Sequence, residues 1–227
     1  MYAKPSHSAN VENNSLLRLS ICNNHDHGRP LFTTKRQRFW LVISVFVVTA
    51  TFRLLYVMVV IEHQTRRIVH CNVTTHPSAA WTLQQLREAI ASDHGYRFLI
   101  HDRDCIFSSQ LDQSITHMGL RVLRTPYRSP KANSLCERVI GTLRRECLDF
   151  LIPLTGNHLC IVLKNWVTHY NQGRPHSSIG PGIPDPPAGL PVTLQEHRHR
   201  IPDYLRVVGH PVLGGLHHEY ELVTKAA

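Results

Sequence analysis

Between Phe39 and Ile61 the sequence is almost entirely apolar, FWLVISVFVVTATFRLLYVMVVI, and any fold must either bury this segment or lay it across a membrane. A helical span needs about 18 or more apolar residues, and a charge at its centre is costly. The uninterrupted apolar part, Phe39 to Ala50, is shorter than that, and Arg53 falls inside the segment. Two strands fit better, because Val, Ile, Phe and Tyr dominate on either side of a polar break from Thr49 to Arg53. A small membrane protein anchored by residues 39–61 stands as the alternative.

The rest of the chain continues the first pattern. His63-Gln64-Thr65-Arg66-Arg67 turns into a third strand, Ile68 to Thr74, and an amphipathic helix is expected from Ser78 to Ser92. A fourth strand follows at Tyr96 to His101, a helix at Ser108 to Met118 and a fifth strand at Leu120 to Arg124. After a break at Pro153 and Gly156 comes a helix from His158 to Tyr170, with Leu159, Val162, Leu163 and Trp166 inside. This order predicts an α/β fold with a mixed five-stranded sheet flanked by helices.

The stretch from Ser129 to Phe150, SPKANSLCERVIGTLRRECLDF, carries the chemistry. At 3.6 residues per turn Cys136, Ile140, Leu143, Cys147 and Phe150 share one stripe, which would be buried. About 100° away stand Asn133, Glu137, Gly141 and Arg144, an acid on a solvent-facing shoulder beside arginines. Ser134 and Glu137 also fit the Ser-x-x-Glu capping box, in which Glu137 would only satisfy an amide at a helix start. A second acid, Asp102, emerges where the fourth strand ends, in His101-Asp102-Arg103-Asp104-Cys105-Ile106-Phe107, and Glu137 follows it by 35 positions.

Asp102 with Phe107, Arg128-Ser129-Pro130, Asn133, Glu137-Arg138, Gly141 to Glu146, Tyr170-Asn171 and Arg174-Pro175-His176 together resemble the catalytic core of retroviral integrases and insertion-sequence transposases. The resemblance covers roughly residues 47 to 180. It implies a ribonuclease H-like fold, duplex DNA as partner, and DNA integration by metal-dependent phosphoryl transfer at an Asp-Asp-Glu site. In such a site two divalent ions, Mg²⁺ or Mn²⁺, clamp the attacking and leaving oxygens and require hard carboxylate ligands. Carried over, Asp102 is the second acid and Glu137 the third, both as catalytic and as metal-binding residues. Asp104 is the lesser candidate for the second, since Phe107 fixes the register. Lys131, Asn133, Arg138, Arg144 and Arg145 are the expected DNA-binding residues.

The first acid of that family has no counterpart. Aligned on Thr49-Ala50-Thr51-Phe52-Arg53, a segment resembling Trp-Ala-Cys-Asp-Phe puts the family's first Asp where this chain has Ile43, and no acid lies between Asp26 and Glu62. Ser44 points to the opposite face of a strand. The bases GCT TGT GAT TTC T encode Ala-Cys-Asp-Phe; read one base later they encode Leu-Val-Ile-Ser, which is Leu41 to Ser44. A one-base deletion near Trp40, with the frame restored by about Val47, is therefore expected, and with it a catalytically impaired enzyme.

Lys and Arg number 25 against 16 Asp and Glu, a formal charge of +9, which favours a polyanionic partner. The six cysteines form no CxxC pair and stand singly in apolar segments, as packing thiols of a reducing compartment do. A cytoplasmic protein without stable membrane association, able to form a homo-oligomer, is expected, and no basic-then-apolar leader opens the sequence. Residues 1–38 read as an irregular or disordered arm, with Cys22, His25 and His27 too few for a zinc site. Residues 39–180 read as the integrase-like core, and 181–227 as a Pro/Gly-rich linker with a basic, His-rich tail.

Overall fold

A computed structural model describes residues 39–90, 95–102, 104–125, 130–179, 182–186 and 201–225. The apolar segment is two strands, β1 (Phe39–Val48) and β2 (Leu54–Glu62), paired antiparallel with Ile43 opposite Val59. β3 (Ile68–Thr74) adds antiparallel to β2, while β4 (Phe98–His101) and β5 (Arg121–Arg124) lie parallel beyond β1, giving the order β3-β2-β1-β4-β5. The mixed five-stranded sheet is the one the sequence predicts. The anchor alternative fails, because residues 39–61 are consumed by the sheet and no described helix is long and apolar enough to cross a membrane.

The two-residue alternation of strand side chains divides the core into two layers. Leu41, Ile43 and Val45 of β1, with Val57, Val59 and Ile61 of β2, face α3 (Pro130–Glu146) and α4 (Gly156–Gln172), where Val139, Leu143, Leu163 and Trp166 meet them. Trp40, Val42, Tyr56, Met58 and Val60 face the other way, onto α1 (Ala79–Ala89) and α2 (Ser109–His117), against Leu86, Leu111 and Ile115. Ser78, Ser108 and Thr155 cap α1, α2 and α4 by accepting from Trp81, Leu111 and His158 amides, satisfying donors the helix start leaves open.

Several motif residues turn out to be locks between elements. Asn171 on α4 accepts from the Ile68 amide and donates to the Ile68 carbonyl, both at 2.9 Å, so one side chain replaces a missing strand partner at the edge of β3. Arg174 grips the Glu146 carboxylate through Nε and Nη2, at 2.6 to 2.9 Å, and ties the end of α4 to the end of α3. Burial, then the charge of Arg174, push the His176 imidazole below its usual pKa. The neutral ring donates from Nε2 to the Tyr170 carbonyl and leaves Nδ1 to accept from Arg174.

Three expectations need correction, and a fourth needs a choice. α3 starts at Pro130, so Ser134 lies in its second turn and cannot cap its start. Phe150 is not in the buried stripe: α3 ends at Glu146, and Phe150, in a 3-10 turn, is 64 % exposed. Cys105 is exposed and is no packing residue. The fourth is a choice between the two forms expected of the Pro/Gly-rich run, a linker or an extended edge segment: over its described part it is tied down, since His176 bridges to Gly182 and the Asp185 amide donates to the Asn171 carbonyl.

The tail holds a hairpin, β6 (Leu205–Val212) and β7 (His217–Thr224). Its His217 donates to the Glu146 carbonyl at 2.6 Å, and Glu219 accepts from His169 at 2.7 Å. The backbone of Gly173 makes room for this, because a Cβ there would fall 2.1 Å from the Glu219 Oε1. The arm, residues 1–38, lies outside the described residues.

Trp166 is fully buried between α4 and the sheet, so Trp166→Ala should cost about 3 to 5 kcal/mol. Phe150→Ala should stay within about 0.5 kcal/mol, as exposed positions do. Urea unfolding followed by circular dichroism measures both.

Candidate active site

Asp102 is the first residue beyond β4. Its Oδ1 accepts from the Asp104 amide at 3.1 Å, a local turn that ends the strand and turns the chain away from the sheet. Phe107 closes the turn: its ring is buried and stacks on His101 at 4.0 Å. His101 in turn donates from Nδ1 to the Asp102 carbonyl at 2.5 Å and meets Asp112 of α2 with Nε2 at 3.0 Å, while Arg124 of β5 pairs with the other Asp112 oxygen. The Asp102 position is thereby held from β4, α2 and β5 together. This His101-Asp112-Arg124 network was not singled out in the sequence, and spacing alone gives no signal for it.

Glu137 is exposed on α3, one residue past the buried Cys136. The Cys136 thiol reports on both acids: burial, then the Asp102 charge, and less strongly the Glu137 charge, push its pKa up to about 12. Tyr56 reports on the other face of the sheet, raised to about 12 chiefly by burial, with Asp104 ahead of Asp102 among the nearby charges. Asp104 thus acts on the side of Tyr56 and Ser44, whose hydroxyls share a 2.5 Å hydrogen bond. The charge of Asp102 acts on both Tyr56 and Cys136.

On β1, Phe39, Trp40 and Leu41 pair in parallel with Phe98, Leu99 and Ile100. The same register carried two residues further puts Ile43 level with Asp102, and Ile43 faces the α3 layer, 2 % exposed among Val139, Leu143 and Cys136. Among the described residues no three His, Cys, Asp or Glu side chains converge as a metal site. The acids expected here from the sequence are Asp102 and Glu137, and the β1 residue that the register brings level with Asp102 is a hydrocarbon. Such a set suits one weakly held hydrated ion, because Mg²⁺ keeps several waters and needs only one or two carboxylates. It does not suit a bridged pair.

Of the expected DNA-binding residues, Arg138, Arg144 and Arg145 are exposed on α3. Lys131 and Asn133 lie within α3, with side chains outside the described ones, as is the whole of Arg103 and of Arg128-Ser129. A Cβ at Gly141 would sit 2.9 Å from Arg145 Nη1, so the bare backbone there lets the Arg145 guanidinium lie along the helix.

Residues 118–184 match the family model of the integrase core domain. Two curated Escherichia coli relatives are the putative transposase InsD for insertion element IS2E, 26 % identical over 37 % of this chain and 38 % of its own length, and the transposase InsD for insertion element IS2A/D/F/H/I/K, 26 % identical over 37 % and 28 %. The alignment thus spans well under half the length of these relatives. Among solved structures, the simian T-cell lymphotropic virus intasome in complex with a PP2A regulatory subunit aligns over 88 % of this chain and 73 % of its own, at TM-score 0.54 and 14 % identity, which is a likeness of fold. The HTLV-2 integrase catalytic core domain in complex with magnesium aligns over 61 % and 89 %, at TM-score 0.48 and 14 % identity.

The hydrogen bond from the thiol to Asp104, then the charge of that acid, raise the pKa of the exposed Cys105. Because Cys105 is exposed whereas Cys136 and Cys147 are buried, iodoacetamide on the folded chain at pH 8.5 should still modify Cys105, and spare Cys136 and Cys147 until denaturant is added. Asp104→Asn should move the Cys105 rate profile to lower pH, as the thiolate forms more readily. Peptide mapping by mass spectrometry reads both effects, and labelling of Cys136 as fast as Cys105 would contradict the burial assigned to it.

Proposed function

We infer that this chain, whose residues 118–184 match the integrase core domain, is a transposase-like DNA integration protein whose phosphoryl-transfer site lacks its first acid. The observation that carries this reading is the register of β1 on β4, which, extended two residues past its last pair, Leu41 with Ile100, would bring apolar Ile43 level with Asp102 on the side that faces the Glu137 helix. Asp102 and Glu137 would hold a single Mg²⁺ or Mn²⁺. Without a third carboxylate a second ion is neither fixed at a working separation nor compensated in charge, and no catalytic step is assigned to such a pair.

What the chain retains is a cationic surface for DNA. Arg138, Arg144 and Arg145, with Lys131 and Asn133 on the same helix, are proposed to contact phosphates of duplex DNA without reading its sequence. Residues 39–180 would form the core domain, and the exposed Phe150, Ile152 and Leu154 support self-association. A cytoplasmic site of action, where DNA is at hand, is part of the same proposal.

Metal stabilisation of a phosphoryl transition state is worth several kcal/mol and each 1.36 kcal/mol is tenfold in rate, so joining should be slower by about a thousandfold or more than in a complete site. The test is end-joining of a labelled duplex in Mg²⁺ or Mn²⁺ by the chain as it stands, by Ile43→Asp, and by Ile43→Asp with Glu137→Gln. Ile43→Asp should raise the rate and the added Glu137→Gln should abolish the gain. Equal rates for the unaltered chain and Ile43→Asp would mean that the third carboxylate comes from elsewhere.

A polar group in so buried a position also costs stability, about 3 kcal/mol or more for Ile43→Asp. Millimolar Mn²⁺ should return part of that loss in thermal melts, because a ligand that binds only the folded form stabilises it. Ile43→Asn carries a similar burial cost without the carboxylate and should show no such return.

A further inference from the structure

One shoulder of α3 away from Glu137, its arginines meet a cleft of about 240 Å³ that the Asp-Asp-Glu comparison does not involve. Its walls are the β2–β3 turn, α3, the end of α4 and the 3-10 turn at Ser177–Ile179, and its polar groups include Arg66, Arg138, Arg145, Thr142, Ser177 and Ser178. Every one of these can donate a hydrogen bond. Arg174 also lines the cleft, but Glu146 neutralises it. No described carboxylate pairs with Arg66, Arg138 or Arg145.

Arg66 is the anomaly. Its Nη1 is fully buried and has no acceptor among the described residues, although burying an unpaired guanidinium donor is costly. Its backbone holds φ at +66°, a left-handed conformation that Gly, Asn or Asp would enter more readily. Burial first, and Arg138 in addition, disfavour its charge, with Tyr170 offsetting them only in part, yet an arginine stays protonated. Strain, burial and repulsion collected on one side chain point to a bound partner that offsets them.

We propose that this cleft binds a phosphate oxyanion, and that its occupant is a backbone phosphodiester of the DNA engaged by α3, with Arg66 as the buried anchor. Guanidinium groups pair with phosphate oxygens through two parallel hydrogen bonds, and the serine and threonine hydroxyls add uncharged donors. The volume lies below that of pockets for whole small molecules, about 300 to 1,000 Å³, and so fits a phosphate group whose sugar and base remain outside. The choice of DNA as the source rests on the function proposed above; the affinity for an oxyanion does not.

The experiment uses the full chain and two probes. In thermal melts, inorganic phosphate should raise the melting temperature beyond chloride at equal ionic strength, and Arg66→Met and Arg138→Gln should each remove the excess, while Arg87→Ala, exposed on α1, keeps it. Arg138 is exposed, so its replacement reads the site without a risk to folding. In fluorescence anisotropy with a labelled 20-base-pair duplex, Arg66→Met should weaken binding about tenfold. It should also flatten the dependence of log K on log salt by about 1, one phosphate contact. A phosphate-specific shift lost in both variants with duplex affinity unchanged would overturn DNA as the source. No phosphate-specific shift in the unaltered chain would overturn the site. A chain that shows the shift but binds no duplex would sink the DNA function while leaving the oxyanion site standing.

Discussion

The parallel pairing of β1 with β4 is the constraint from which the site follows. It sets which β1 residue stands level with Asp102, and strand alternation sets which way that residue faces. A slip of one residue would bring Val42 or Ser44 level instead, and both face the α1 and α2 layer, where Val42 is buried and Ser44 is bonded to Tyr56. Neither neighbour could lend a ligand to the α3 side even if it were acidic. An acid missing at Ile43, as proposed, is therefore a loss local in sequence but without a local remedy.

The residues that carry the family likeness divide by their physical role. Asp102 and Glu137 are solvent-accessible acids with little to do in the core. Asn171, Arg174, Glu146 and His176 are joints: they close the open edge of β3 and clamp the ends of α3 and α4 together. A chain can lose an acid and still fold, because replacing a charged group by a well-packed hydrocarbon removes a desolvation cost. Losing a joint would strand buried polar groups at about 1 to 3 kcal/mol each. The pattern proposed for this chain, with the joints intact and one acid absent, is what that asymmetry allows.

Much of the fold was legible because its elements are periodic. The alternation through β1 and β2 and the polar break between them gave both strands, and apolar spacing gave α1 to α4 within a few residues. The hairpin of β6 and β7 was not legible, since most of its residues are exposed and its stretch reads as a polar tail. Phe150 was misplaced because helical spacing continues on paper past Glu146, where the backbone turns into a 3-10 coil. Asp102 and Glu137 were visible through their motifs. Arg66 was not, because its cleft is assembled from residues more than 100 positions apart, and nothing in a turn sequence shows that a guanidinium will be buried without an acceptor.

The two electrostatic environments on α3 then make sense together. A complete set of three acids repels phosphate unless divalent ions intervene, and that repulsion falls with each carboxylate removed. In the proposed reading, with Ile43 in place of an acid, the edge near Asp102 would oppose an approaching DNA strand less, while Arg138, Arg144 and Arg145 would attract it undiminished. The cleft beside Arg66 adds cationic donors that no described acid neutralises. In the proposed function, attraction of DNA is thus uncoupled from the metal that strand transfer would need: the same substitution that would remove a ligand for chemistry would also remove a charge that works against binding.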